Sequence, residues 1–289
     1  MRFNKYLALT AILSTVFTLA LSGSSKVFAA TSPVLTGSAL YSVLGGAGVT
    51  CTGSATTTGA VGVSPGTSIT GFPSPCTSGG GTHSNDASAI AAQTDALAAF
   101  GTLDQTCNYS YGAQDLTLLS PLGPGVYCST SSFSLSGNLQ LSGSGVWIFK
   151  SVSTIITSPG SSVTGGDPCN VWWRVGSSAT LNTTTSFIGT IIAQNGVSAL
   201  DTGASLDGRI LALSAGTVTL DANKIYGPTC ATTSSTSSTS SGSVVTPGTP
   251  NTGFGVHYKS PWNSLKYSVL IALGLFSLAF TTRKISKKQ

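Results

Sequence analysis

The stretch that decides the fold is residues 186–223, SFIGTIIAQNGVSALDTGASLDGRILALSAGTVTLDAN. Its two halves nearly repeat each other, with Gly189 aligned to Gly208 and Ile191 aligned to Ile210, 19 residues apart. Each half holds two short β-like runs and almost no charge. A fixed period near 20 residues with short strands is typical of a solenoid, in which each coil buries its apolar side on its neighbours. We therefore predict a mainly β protein built as a β-solenoid.

Strand alternation assigns the two sides of each coil. The segments ATLN (179–182), SALD (198–201) and VTLD (218–221) recur at nearly the same period. Alternate residues of a strand point to opposite sides, so the three leucines are expected inside together. They are Leu181, Leu200 and Leu220. The polar residues expected to point outwards are Thr180, Asn182, Asp201, Thr219 and Asp221.

Small hydroxyl residues recur at the coil corners. TTTS (183–186) and TGAS (202–205) lie 19 residues apart, and TSPGS (157–161) resembles an earlier equivalent. Because coils repeat about every 4.8 Å, stacked hydroxyls form a regular ladder. Such a face suits a flat ordered partner, either ice or a polysaccharide, although Ser and Thr also favour turns for purely structural reasons. The candidate residues for contact with such a partner are Thr180, Asn182, Thr183, Thr185, Thr202, Ser205, Thr217 and Thr219.

One helix is predicted, over residues 85–103. Ser84 or Asn85 is expected to cap its N-terminus, and Asp86 suits the first turn. Its expected apolar residues are Ile90, Leu97, Ala98 and either Phe100 or Leu103. A long helix in an otherwise β chain is expected to lie alongside the solenoid and cover part of it.

The charge distribution argues against nucleic acid as a partner. The chain carries 13 basic and 8 acidic residues. Three of the basic residues lie in the first 26 positions and six lie beyond residue 255, which leaves four between them. All eight acids are Asp between residues 86 and 221, so the central region has a net charge of 4 − 8 = −4. Nucleic-acid binding would require a basic surface there.

The N-terminus is typical of a secretory signal. Residues 1–29 begin with Arg2 and Lys5, continue as an apolar run and end in small residues. Residues 31–230 form the predicted domain, and residues 231–249 form a Ser/Thr-rich linker. Residues 249–289 hold TPNTG, an apolar segment at 267–282 and a basic tail.

The C-terminal region resembles a sortase sorting signal of the LPxTG kind. The motif residues are Thr249, Pro250, Asn251, Thr252 and Gly253, with Thr249 where Leu is usual. The resemblance implies cleavage between Thr252 and Gly253 and attachment to the cell envelope. Without cleavage, the apolar segment is expected to act as a membrane anchor. The expected location is therefore the cell surface.

The cysteine pattern favours disulfides over a metal site. The six residues are Cys51, Cys76, Cys107, Cys128, Cys169 and Cys230. Behind an export signal, six cysteines imply up to three disulfides. Chain order suggests 51–76, 107–128 and 169–230, but 15 pairings are possible. The cysteines lack CxxC spacing and the chain holds two His residues, so we predict no metal.

The sequence offers little that would support catalysis. His83 is the one histidine in the predicted domain, which argues against a Ser-His-Asp triad, and no phosphate-binding loop is present. Asp201, Asp207 and Asp221 fit turn positions better than a glycosidase pair. Trp147, Trp172 and Trp173 fit a core better than a sugar platform. We predict no enzymatic activity and no cofactor.

Six segments together resemble the secreted ice-binding proteins of bacteria and fungi. They are VGVSPGTSITGFP (61–73), AAQTDALAAF (91–100), LGPGVYC (122–128), CNVWWRVGSSATL (169–181), GRILA (208–212) and VTLDANKIYGPTC (218–230). The resemblance implies an irregular three-sided β-solenoid with one long α-helix alongside and a flat ice-binding face. TGAS (202–205) fits the T-A/G-x-T/N motif described for some members, with Ser in the last place.

The sequence thus predicts a surface-attached protein that adsorbs to ice crystals. Its expected partners are ice and, through the C-terminus, sortase and the cell envelope. The alternative is a surface adhesin that binds carbohydrate or another cell through the same face.

Overall fold

The computed structural model describes residues 29–227 and Cys230. The predicted signal sequence up to residue 28, the linker, the sortase-like motif and the apolar segment at 267–282 lie outside the described residues. Within the described part of the chain, no helix is both long and apolar enough to cross a membrane.

The described chain is made of short strands, one α-helix and three 3-10 turns at Gly37–Leu40, Leu116–Leu119 and Pro168–Asn170. In chain order the elements are β1 (Tyr41–Gly45), β2 (Gly48–Thr52), β3 (Thr56–Thr57), β4 (Ala60–Val63), β5 (Ser68–Thr70), β6 (Thr77–Ser78), β7 (Thr82–Ser84), α1 (Ala87–Thr102), β8 (Tyr109–Tyr111), β9 (Gln114–Asp115), β10 (Gly125–Ser129), β11 (Phe133–Leu135), β12 (Asn138–Leu141), β13 (Trp147–Ser151), β14 (Ile155–Thr157), β15 (Ser162–Gly165), β16 (Val171–Val175), β17 (Ala179–Leu181), β18 (Ser186–Ala193), β19 (Val197–Leu200), β20 (Ser205–Ala212), β21 (Thr217–Asp221) and β22 (Lys224–Tyr226).

The strands wind into a three-sided parallel β-solenoid, as the sequence predicts. One side, the covered face, has the order β7-β4-β1-β20-β18-β16-β13-β10-β8. The second side, the threonine face, has the order β5-β2-β21-β19-β17-β14-β11-β9. The third face has the order β12-β15-β18-β20-β22-β3-β6. Consecutive strands, such as β13, β14 and β15, occupy the three sides in turn.

The repeat in residues 186–223 corresponds to two adjacent coils. Strands β18 and β20 pair over their full length, with Gly189 opposite Gly208. Both strands turn from the third face onto the covered face near these glycines. A Cβ on Gly208 would lie 1.9 Å from the Gly189 carbonyl oxygen, so the aligned glycines let the two coils approach each other.

The coils do not stack in chain order. Strands β1 and β2 from the N-terminal region lie against β20 and β21 from the C-terminal end of the domain. The chain then passes through α1 to the opposite end of the stack, where β8 and β9 are the terminal strands. From there the coils build back towards β20. This connection accounts for the helix running alongside the solenoid.

Helix α1 begins two residues later than the predicted start. Its N-cap is Asp86, whose carboxylate accepts the Ala89 N–H at 2.9 Å, and not Ser84 or Asn85. Asn85 instead has φ 49°, a turn conformation that Asn tolerates.

The buried side of α1 also differs from the expectation. Ile90 and Leu97 are 49% and 57% exposed. The predicted Ala98 is exposed as well, whereas Phe100 and Leu103 are buried. The remaining buried residues are small ones, Ala89, Ala92, Ala96 and Ala99. Small side chains allow a close approach of helix and sheet, so alanines occupy the contact and the larger aliphatic residues face away.

Polar contacts fasten the helix to the solenoid along its length. Asp95 accepts hydrogen bonds from the Thr36 N–H at 2.8 Å and from the Ser38 hydroxyl at 2.6 Å. Near the C-terminal end, the Lys150 ammonium lies 2.6 Å from the Asp104 carboxylate. The Arg174 guanidinium lies 4.0 Å from the centre of the Phe100 ring.

A ladder of aromatic rings runs through the solenoid interior and ends at the terminal strand β8, where Tyr109 is 49% exposed. Tyr109, Tyr127, Phe149, Trp173 and Phe187 follow one another on successive coils, with ring centroids 4.1–5.3 Å apart. Trp147, Trp172 and Trp173 are all at most 3% exposed, as predicted for core residues. Leu181, Leu200 and Leu220 are buried together, as the strand alternation requires.

Three disulfides link the cysteines in chain order, as Cys51–Cys76, Cys107–Cys128 and Cys169–Cys230. This is the pairing that chain order favoured among the possible ones. The third disulfide joins the last described residue to the corner between the third face and the covered face, because Cys169 lies between β15 and β16.

Candidate functional site

The candidate site is the outer surface of the threonine face. Its strands pair in parallel without a register shift from β17 to β5. Parallel strands are spaced about 4.8 Å apart, and outward residues along one strand are about 6.6 Å apart. The outward side chains therefore form a two-dimensional grid.

Threonine dominates one end of this grid. In the central row, Thr219 of β21 is opposite Thr50 of β2, and Thr50 is opposite Thr70 of β5. In the flanking row, Thr217 lies across Gly48 from Ser68. Hydroxyl-bearing residues thus run without a break over three strands in the central row, whereas Gly48 separates the two hydroxyls of the flanking row.

The other end of the grid is mixed. From β11 to β19 the central row reads Ser134, Ile156, Thr180 and Ala199. On β19, Val197 in the flanking row is 54% exposed. On β14, Ile156 in the central row is 45% exposed. This end of the face is more apolar than the end at β21, β2 and β5.

The structure divides the predicted site residues among several surfaces. Thr180, Thr217 and Thr219 lie on strands of the threonine face. Thr183 and Thr202 lie at the corner that follows this face, and both are exposed. Ser205 begins β20 and therefore lies on the third face.

Two of the predicted residues are engaged within the coil stack. Thr185 is 0% exposed, and its hydroxyl lies 2.8 Å from that of the buried Thr157. It is therefore removed from the candidate surface. The chain turns inwards at the corner, so strand alternation does not extend through it. The Asn182 side-chain amide donates to the Thr157 carbonyl, so its amide group is held by the preceding coil.

The structure adds Thr50, Thr52 and Thr70, which the sequence analysis did not select. They lie on β2 and β5, far from the recognised repeat in the chain. A signal was present: VTCT (49–52) has the alternation of VTLD (218–221), and the two segments pair residue for residue. Only the stacking of the N-terminal coil on β21 brings these residues into the site.

The corner between the threonine face and the third face has a regular backbone. A residue with left-handed φ occurs in five stacked coils: Gly160 (72°), Thr184 (57°), Gly203 (73°), Ala222 (52°) and Gly53 (64°). In the first four of these coils, the backbone N–H of the residue with left-handed φ donates to a backbone carbonyl of the next coil. The accepting carbonyls are those of Thr183, Thr202, Asp221 and Thr52. The predicted stacking of TSPGS, TTTS and TGAS at one corner is thus confirmed.

Charge is confined to the margins of the threonine face. Among its described strand residues, the charged ones are Asp115 and Asp221, each at the end of its strand. The Asp221 carboxylate accepts a hydrogen bond from the Thr202 hydroxyl. Burial alone would raise the pKa of Asp115, but hydrogen bonds from Ser136 and Thr117 outweigh it and lower that pKa. Both carboxylates therefore have partners within the protein.

The third face also carries hydroxyls in register but has charges among them. Ser186 is opposite Ser205, which is opposite Lys224, which in turn is opposite Thr56. Burial and the nearby Asp167 raise the pKa of Asp207 on the same face. Among the described residues, each of these two sheets thus has two charged strand residues, but on the threonine face both lie at strand ends, whereas Asp207 lies within β20 and Lys224 lies in the row of hydroxyls.

Within the described residues, no group of three or more His, Cys, Asp or Glu side chains is arranged to hold a metal ion. The chemistry that the site offers is a regular surface of hydroxyl and methyl groups.

The described chain is thus a parallel β-solenoid with one flanking helix and one exposed hydroxyl-bearing sheet whose charged strand residues lie at its margins. The chain belongs to the ice-binding-like family, whose family model matches residues 43–226.

Relatives and solved structures agree with this assignment. An ice-binding protein from Nostoc sp. (strain HG1) is 42% identical over 193 residues, which cover 64% of this chain and 70% of the relative. A crystal structure of an ice-binding protein from an Antarctic biological consortium has a TM-score of 0.64 at 36% identity, covering 70% of this chain and 93% of that chain. A crystal structure of an ice-binding protein from the Antarctic ascomycete Antarctomyces psychrotrophicus has a TM-score of 0.63 at 32% identity. The match covers 69% of this chain and 100% of that chain.

Proposed function

We propose that this protein adsorbs to ice through the threonine face and stops crystal growth where it is bound. The observation that carries the proposal is the in-register grid of Thr219, Thr50 and Thr70 with its flanking hydroxyls. Each threonine offers a hydroxyl that bonds water and a methyl group that limits how that water is arranged. A grid with fixed spacing orders a water layer that can merge with a crystal surface.

The low charge of the face supports the same function. Strongly hydrated ions would hold water in arrangements that an ice lattice does not accept, and the charged strand residues here lie at the margins. A carbohydrate site would be expected to offer exposed aromatic rings for stacking on sugars. The outward strand residues described on this face include none.

We also propose that the protein acts while attached to the cell surface. Support comes from the signal-like residues 1–29 and the sortase-like motif at Thr249–Gly253, together with disulfides that suit an oxidising compartment. Cys230 is linked to the corner where the third and covered faces meet. In a three-sided coil that corner lies opposite the threonine face.

Two experiments test these proposals separately. Ice crystals grown in a solution of the purified, disulfide-bonded protein should become faceted, with a gap between melting and freezing temperatures. Round crystals from a folded sample would reject ice binding, and a glycan-binding screen would then test the adhesin function. For attachment, Thr252→Ala should move the protein from the cell-wall fraction to the membrane or medium. An unchanged wall fraction would reject sortase.

A further inference from the structure

The central row of the threonine face is interrupted at one position. Across the five consecutive strands β17, β19, β21, β2 and β5, the row reads Thr180, Ala199, Thr219, Thr50 and Thr70. All four pairings are parallel and in register. Ala199 is the one member of these five that lacks a hydroxyl group.

The interruption changes how far an ordered water layer extends. Neighbouring row members are about 4.8 Å apart, a distance that a single water molecule can bridge between two hydroxyls. Ala199 supplies a methyl group but no hydroxyl, so it cannot continue this bridging. Thr180 is thereby separated from the uninterrupted group of three threonines.

The flanking row does not bypass the gap. The other outward residue described in β19 is Val197, which lies opposite Thr217 and is 54% exposed. Strand β19 therefore presents two apolar side chains where β21 presents Thr217 and Thr219. The gap spans the full width of the strand.

We propose that Ala199 limits the extent of the ice-ordering grid, and that Ala199→Thr joins Thr180 to the other three threonines. The inference rests on the proposed ice-binding function of this face. It identifies β19 as the strand that sets the strength of ice binding.

The backbone at Ala199 accommodates threonine. Its neighbours on both sides, Thr180 and Thr219, are threonines at paired positions of the same parallel sheet. Ala199 is partly exposed and points away from the core. β-Branched residues favour such a position, so the substitution is expected to leave the fold intact.

The test compares thermal hysteresis of the native protein with that of Ala199→Thr, Ala199→Ser and Ala199→Val at equal concentrations. Valine has nearly the shape of threonine without the hydroxyl, so it separates water binding from packing. Ala215→Thr is the matched control, because Ala215 is an exposed alanine in the turn before β21. Thermal melting checks that each variant is folded.

We expect Ala199→Thr to raise the hysteresis by about two-fold or more, because the added hydroxyl lets bridging water continue from Thr180 to Thr219. Ala199→Ser should raise it less, and Ala199→Val and Ala215→Thr should not raise it. An active native protein with an unchanged Ala199→Thr variant would overturn this inference alone. An increase in Ala199→Val equal to that in Ala199→Thr would do the same. A native protein without hysteresis would overturn the proposed function and, with it, this inference.

Discussion

Thr50 and Thr219 lie opposite each other in directly paired strands of the threonine face, although one belongs to the first coils of the chain and the other to its last strands. Their contact shows how the candidate surface is assembled. The N-terminal coil extends the sheet beyond β21, and its threonines continue the row that the repeat begins. The site therefore depends on the two ends of the domain meeting.

The residues with left-handed φ at the corner between the threonine face and the third face give a prediction about the free energy of unfolding. Gly53 and Gly203 have similar φ values, 64° and 73°, so an alanine is strained at both. At Gly53 an added Cβ would also lie 2.7 Å from an Asp221 carboxylate oxygen and 2.9 Å from the Ala222 nitrogen. At Gly203 the nearest atom is 3.8 Å away.

We expect Gly53→Ala to lower the free energy of unfolding by about 1–3 kcal/mol more than Gly203→Ala, which is the matched control. Denaturant unfolding of the two variants measures the difference. Equal losses would mean that the corner at Gly53 relaxes without cost.

Asp95 should make stability depend on pH. Burial alone would raise the pKa of Asp95, but hydrogen bonds from Ser38 and Thr36 outweigh it and lower that pKa. A lowered folded-state pKa means that the ionised group stabilises the fold at pH values above its unfolded pKa of about 3.9. This contribution is lost as the pH falls through the folded-state pKa.

Asp95→Asn is therefore expected to cost about 1–2 kcal/mol at pH 7, because charge-assisted hydrogen bonds become neutral ones. The difference between variant and native protein should shrink as the pH falls below about 4. Denaturant unfolding at pH 7 and at several acidic pH values measures both effects. A difference that stays constant with pH would contradict the role given to the Asp95 charge.

The Cys169–Cys230 disulfide should stabilise the protein more than the Cys107–Cys128 disulfide, because it closes the longer loop. Its cysteines are 61 residues apart, against 21 for Cys107–Cys128. In the loop-entropy model, these separations correspond to about 4 and about 3 kcal/mol.

Replacing both cysteines of a pair by serine should lower the denaturant midpoint more for Cys169–Cys230 than for Cys107–Cys128. The Cys107–Cys128 pair is the control for general effects of losing a disulfide. A larger loss for the shorter loop would show that strain or local packing, and not loop closure, dominates.

The solenoid fold could be predicted from the sequence, because residues at equivalent positions of the repeat pair with each other in adjacent coils. Residues aligned at a period of 19 lie opposite each other, as Gly189 and Gly208 do. Alternation within strands also placed Leu181, Leu200 and Leu220 correctly. These are local patterns, and a β-solenoid is built mostly from contacts between neighbouring coils.

The remaining features depend on longer-range contacts. The pairing of β2 with β21 joins distant parts of the chain, so the alternation in VTCT (49–52) could not by itself show that Thr50 lies beside Thr219. Thr185 has the residue type of an outward position, but the corner geometry turns it inwards. In α1, alanine is a weak hydrophobic signal, and the need for close approach to the sheet decided which side is buried.

The assignment of the threonine face is tested most directly by comparing thermal hysteresis in Thr219→Tyr and Thr56→Tyr. Both residues are threonines on parallel strands, but Thr219 lies in the central row of the threonine face and Thr56 lies on the third face. A ring that projects from the grid should weaken adsorption about ten-fold or more, since a steric misfit of about 1–3 kcal/mol acts on a flat contact. We predict that Thr219→Tyr loses most of its hysteresis and that Thr56→Tyr keeps the native value. Native hysteresis in Thr219→Tyr, or its loss in Thr56→Tyr, would contradict this assignment.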